Sequence, residues 1–181
     1  NRKAFSALAG EETVNGLLEG ILTSDLYNTV NRNDTEGFHR VQARINGMDV
    51  PFKEKVSTLG RMLYSQSQGD MNGYLKYAAV YSKKYHWHDW NMLNNLAWEM
   101  YLSELLQTPK QMKLARKLGK RAVALEANYY TTDTYAATLY KSGKYAEALK
   151  WANTAVDLAG KAGEDYSVTA ELIEKIKAAM N

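Results

Sequence analysis

The sequence predicts an all-α chain, and three observations carry that prediction. Prolines number two, Pro51 and Pro109, among 181 residues, while alanine, leucine, lysine, glutamate and methionine abound, a composition of good helix formers. Apolar residues recur at intervals of three and four along most of the chain, the period that puts them on one side of a helix. The third is internal self-similarity: Ala115, Ala122 and Leu125 precede Ala148, Ala155 and Leu158 by the same 33 residues.

Taken in order, the first predicted helix starts near Glu12 with Val14, Leu17, Leu18, Ile21 and Leu22 inward. It continues through Leu26, Tyr27 and Val30 to a break at Asn31-Arg32-Asn33-Asp34. Asp34 is placed to cap a second helix with Phe38, Val41 and Ile45 inward, ending near Gly47. Pro51 suits the first turn of a third, with Phe52, Val56, Leu59 and Leu63 inward as far as Ser65-Gln66-Ser67-Gln68-Gly69. Asp70 restarts the pattern for a fourth, lined by Met71, Tyr74, Leu75, Ala78 and Tyr81. The third and fourth form a degenerate helical hairpin, with Tyr74 where a small residue is expected.

After His86-Trp87-His88, Asp89 caps a helix carrying Leu93, Leu96, Ala97, Met100 and Tyr101. Thr108-Pro109-Lys110-Gln111 has the form of a helix start: a threonine cap, proline at the first position, and a glutamine three residues on to complete a capping box. From Thr132 to Leu158 two helical patterns meet at Gly143, free to take the left-handed backbone that closes a helix. Small residues fall where these two would cross, at Ala136, Ala148, Ala152 and Ala155, and Tyr135, Leu139, Tyr145 and Leu149 fill the space between. Past Gly160 to Gly163, a last helix carries Val168, Leu172, Ile176 and Ala179. The count is about nine helices.

This pattern resembles the tetratricopeptide repeat. On its 34-residue pattern the small positions fall on Ala136, Ala148 and Ala155, the turn glycine on Gly143 and the following aromatic on Tyr145. The resemblance implies a right-handed α-solenoid of helix-turn-helix repeats: a helical N-terminal region over 1–88, two repeats over about 89–127 and 128–160, and a capping helix, all in one continuous domain. Leu96-Ala97 and Tyr135-Ala136 stand 39 residues apart, so the first repeat carries about six extra residues around 105–108.

In such repeats the first helices of successive pairs line a groove, and the resemblance assigns to it Asn91, Asn94, Trp98 and Tyr101, then Tyr130, Asp133, Ala137, Tyr140 and Lys141. Asparagine amides can hold the main chain of an extended peptide, and the aromatic rings offer flat amphipathic surfaces. The implied work is noncatalytic capture of a peptide or protein segment. The competing reading is that these aromatics serve only to pack neighbouring helices.

More loosely, Leu93-Asn94-Asn95-Leu96-Ala97-Trp98, Asp133-Thr134-Tyr135-Ala136 and Gly143-Lys144-Tyr145-Ala146-Glu147-Ala148 resemble the helical part of bacterial envelope thioredoxin-like, disulfide-isomerase-like proteins. That implies an accessory domain in the periplasm or cell envelope, with its redox partner domain elsewhere. A chain that begins at Asn1 instead of methionine reads as a piece of a longer product, consistent with that expectation. A further alternative is a scaffold that self-associates through its aromatic surface.

Several classes are disfavoured. Zero cysteines leave no disulfide, thiolate metal site, cysteine nucleophile or CxxC pair within these residues. No apolar run approaches the roughly 18 residues of a membrane span. Glycine-rich phosphate loops, GxSxG and HExxH are missing, so no catalytic residue and no cofactor is assigned. Two histidines at His86 and His88 diverge on a helix, and no metal is expected there. Lys110, Lys113, Lys117, Lys120 and Arg121 form a basic stripe with no acid between Pro109 and Leu125. At a net charge of +3, however, it reads as a solvated face, and no nucleic acid is expected.

Overall fold

The computed structural model describes residues 2–102 and 107–181, with side chains from residue 4 onward. The described residues form ten α-helices and no strand: α1 (Arg2–Ala9), α2 (Glu11–Asn31), α3 (Thr35–Gly47), α4 (Lys53–Ser67), α5 (Met71–Tyr85), α6 (Trp90–Leu102), α7 (Pro109–Leu125), α8 (Tyr129–Lys141), α9 (Tyr145–Ala162) and α10 (Ser167–Met180). Helix α1 is the one the sequence reading passed over. The insertion expected at 105–108 lies largely outside the described residues. Among these helices none is long and apolar enough to cross a membrane.

Side-chain caps set several helix starts. Asp34 accepts the Gly37 N–H at 2.8 Å, Asp70 that of Gly73 at 2.9 Å, and Asp89 that of Met92 at 3.0 Å. The Thr108/Gln111 capping box forms as its spacing predicts, with the Thr108 N–H donating to Gln111 Oε1 at 2.7 Å. A second box, Asn128 with Thr131, starts α8 and went unread, because threonine stands where glutamate or glutamine usually marks the motif. Pro51 sits in the turn ahead of α4 and not within its first turn, and Phe52 is the capping residue.

Three helix-to-helix corners share one backbone device. Asn33, Gly69 and Gly143 adopt φ of 53°, 69° and 71°. The following N–H donates to the carbonyl five residues back: Asp34 to Thr29 at 2.8 Å, Asp70 to Ser65 at 2.8 Å, Lys144 to Leu139 at 3.0 Å. The left-handed residue itself donates three back, to Val30, Gln66 and Tyr140. This is the Schellman arrangement, which satisfies carbonyls that a helix end leaves open and turns the chain into the next helix. It joins α2 to α3, α4 to α5 and α8 to α9.

The chain divides into two compact units, Asn1–Tyr81 and Ser82–Asn181, the division falling inside α5. In the first unit α1 packs on α2, α2 on both α3 and α4, and α3 on α4. Its core gathers Leu22, Leu26, Phe38, Ile45, Val50, Phe52 and Val56. Full burial of Leu22, Leu26 and Ile45 is worth roughly 1.5–3 kcal/mol each. The buried line of α2 follows every fourth residue, Val14, Leu18, Leu22, Leu26 and Val30. Leu17 and Ile21, expected inward, are 64% and 51% exposed, because α3 and α4 both pack on the side that this line defines.

In the second unit α6 packs on α7 and α8, α7 on α8, α8 on α9, and α9 on α10, which also touches α8. Ala115, Ala122, Ala148 and Ala155 are all fully buried, as are Ala136, Ala152 and Ala159. Small side chains at these crossings let helix backbones come close. At Gly119 the approach is close, since an added Cβ would stand 3.3 Å from the Tyr135 Cα. The inner line of α10 is Thr169, Leu172 and Ile176, and Val168, expected inward, is 58% exposed.

Candidate functional site

The groove residues assigned by resemblance all lie on α6 and α8, two helices packed against each other in the second unit. On α6, Asn94, Trp98 and Tyr101 are spaced by four and three residues and so share one face. Trp98 and Tyr101 stack at 5.2 Å between ring centroids. From the end of α8, Lys141 places its ammonium 5.7 Å from the Tyr101 ring, an exposed cation–π contact. Tyr140, beside it, leans on Tyr145 of α9 at 5.9 Å. The rings of Trp98, Tyr101 and Tyr140 are only partly buried against the core cluster of Tyr135, Ala136 and Leu139. They form an aromatic shelf that keeps contact with solvent.

Burial raises the Tyr101 hydroxyl above its ordinary range, and the fields of Asp133 and Tyr140 add to the effect, which places all three groups in one neighbourhood. Asp133 itself is 8% exposed, and burial pushes its carboxyl up. The Thr169 hydroxyl of α10 donates to Asp133 Oδ1 at 2.7 Å and draws the carboxyl part of the way back. The Tyr129 hydroxyl lies 3.2 Å from the same Thr169 oxygen. Asp133 is therefore held by the last helix instead of standing open.

The remaining assigned residues separate. Asn91 is exposed, Ala137 is buried, and Tyr130 is 55% exposed with its ring tilted against Tyr129 at 5.2 Å. Asn94 is 6% exposed, and its Oδ1 is a buried acceptor with no partner among the described residues. An unmet buried acceptor costs about 1–3 kcal/mol, so this amide is a local weakness one helical turn from Trp98. Sequence reasoning missed Thr169, since a threonine on the inner line of α10 reads as a polar interruption.

Two residues of the basic stripe, Lys117 and Arg121, meet the histidine segment in one cluster. Arg121 donates through Nε to the Trp87 carbonyl at 3.0 Å, and its Nη2 lies 3.1 Å from His88 Nδ1. Lys117 and Arg121 stand 5.2 and 5.6 Å from the Trp87 ring centre. His86 Nδ1 faces Asp89 at 3.4 Å, so the two imidazoles serve different neighbours. The Met92 N–H, chiefly, holds Asp89 below the usual carboxylate range, with His86 adding to it. Among the described residues no three histidines, cysteines or carboxylates gather as metal ligands do.

No family model, curated protein or solved structure matches the chain. Fold and side-chain chemistry together define it as an all-α protein of packed helices with a partly exposed aromatic shelf on α6 and α8.

Proposed function

We propose that this chain is a noncatalytic binding module of the tetratricopeptide kind, which captures a peptide or protein segment along the α6/α8 face. In this reading α6/α7 and α8/α9 are two repeats of a right-handed solenoid, and α10 is the capping helix. Support comes from the order of packing, in which α6 meets both its hairpin partner α7 and the next first helix α8, and from buried alanines 33 residues apart.

The observation that carries the functional reading is the aromatic shelf. Trp98, Tyr101 and Tyr140, with Lys141 over one ring, are rigid amphipathic surfaces left partly uncovered by their own fold, the kind of group that dominates recognition energetics. The test is selection of 12-residue random peptides on the immobilised chain. Trp98→Ala with Tyr140→Ala is expected to weaken the selected peptides at least tenfold while the far-ultraviolet circular dichroism stays unchanged. Loss of helicity instead would make the rings packing residues and end this reading.

A further inference from the structure

A second cleft lies in the other unit, bordered by α3, α4 and Tyr77 of α5, with a volume of ≈ 430 Å³. Pockets that take small molecules run from about 300 to 1,000 Å³, so the space suits a body the size of one or two amino acids. One wall is aromatic: the Phe38 and Tyr64 rings stack at 4.2 Å and 9°, with Phe38 the buried member, and the His39 ring meets both at 5.5 Å. None of the residues lining the cleft is acidic.

Charge at its rim is unbalanced. The Arg61 guanidinium rests 5.9 Å from the Tyr77 ring centre and has no carboxylate within ion-pair distance among the described residues. Elsewhere in the same unit Arg40 lies 3.6 Å from Glu36, Arg44 lies 3.8 Å from Asp25, and Lys55 lies 2.8 Å from Glu19. Amides line the remaining side. Gln42 is 7% exposed and donates to the Ser57 carbonyl at 3.1 Å, while its Oε1 is buried against Gly60 with no partner among the described residues. The cleft thus joins an aromatic wall to a guanidinium without a carboxylate partner, with no acidic residue in its lining.

We infer that this cleft binds an N-acylated α-amino acid with an aromatic or large apolar side chain, its carboxylate held by Arg61 and its side chain laid against Tyr64. A guanidinium pairs a carboxylate with two parallel hydrogen bonds, which a lysine in its place would not do. With no acidic residue lining the cleft, an acylated nitrogen fits beside Arg61 where a free ammonium would go unneutralised. Such a group is found free, as an acylated amino acid, or as the last residue of a peptide.

The test is calorimetric titration of the intact chain with N-acetyl-phenylalanine, its C-terminal amide, and a tetrapeptide ending in phenylalanine. The acid is expected to bind and the amide to bind at least tenfold more weakly, and Arg61→Gln should remove that difference. A tetrapeptide that binds at least as tightly as the acetylated residue identifies a peptide end as the ligand, and weaker binding identifies the free acid. Equal binding of acid and amide, no binding of either, or an unaltered preference in Arg61→Gln would overturn the inference. The Trp98→Ala/Tyr140→Ala variant is expected to bind these probes as the parent does, so the outcome is independent of the α6/α8 reading.

Discussion

The corner between α4 and α5 and the corner between α8 and α9 are the same turn built around different volumes. Counting from the left-handed residue, the fifth position onward is Tyr74 in one and Ala148 in the other, and both are fully buried. At the α2/α3 corner, counted from Asn33, it is Phe38, 4% exposed. Seven residues before the left-handed residue stand Leu26, Met62 and Ala136, again all buried. Backbone hydrogen bonding decides how the chain turns, and side-chain volume decides how close the joined helices come. The first unit fills these positions with large side chains and the second with alanines, so the turn recurs where the residue pattern does not.

The largest expected effect comes from exchanging those volumes. Tyr74→Ala should leave a cavity and cost about 3–5 kcal/mol, read by urea unfolding of the intact chain. Ala148→Tyr should overpack the α8/α9 crossing and cost about 1–3 kcal/mol or more. Should Tyr74→Ala prove nearly neutral, the two positions are not equivalent and the comparison fails. The turn itself is next. No atom lies within 4 Å of an added Cβ at Gly143, so Gly143→Ala tests the backbone alone, and it should cost about 1–2 kcal/mol. Asn33→Gly at the corresponding corner should change stability by less than about 0.5 kcal/mol in thermal unfolding, since the left-handed backbone is already in place.

A smaller effect, dependent on pH, is expected at Asp133. Its carboxyl is raised on folding by burial, so the folded chain favours the protonated form. Stability from this group is full below the unfolded value of 3.8 and is lost as pH rises from there through the folded value. Asp133→Asn keeps an acceptor for Thr169 without the charge. It should therefore unfold at higher urea than the parent at pH 7, with the gap closing toward pH 3.8; a gap that widens on acidification would contradict the assignment. The smallest effect belongs to the exposed Lys144–Glu147 pair at 3.0 Å, where Lys144→Ala should cost less than about 0.5 kcal/mol.

How much was legible in the sequence follows from the same contrast. The second unit announces itself because alanine at a crossing leaves few substitutes, and two such crossings 33 residues apart produce a visible period. In the first unit Phe38 and Tyr74 carry no such signature, since a large buried aromatic is common in any helical core. Along α2, leucine, isoleucine and valine surround so much of the helix that spacing alone does not choose a side, and the packing of α3 and α4 makes the choice. The α6 shelf was readable from Asn94, Trp98 and Tyr101 on one helical face. Neither the hold of Thr169 on Asp133 nor the Arg61 cleft was, because each brings together side chains of different helices, and the spacing along one helix does not show which side chains of another will face it.

The central claim, that the α6/α8 face is left unsatisfied by its own fold in order to take a guest, is tested most directly by Asn94→Leu. Replacing an amide whose buried oxygen has no partner among the described residues with an apolar group of similar size should stabilise the chain by about 1–3 kcal/mol in urea unfolding, while capture of the selected peptides falls. A variant that is less stable and still binds them would contradict the claim.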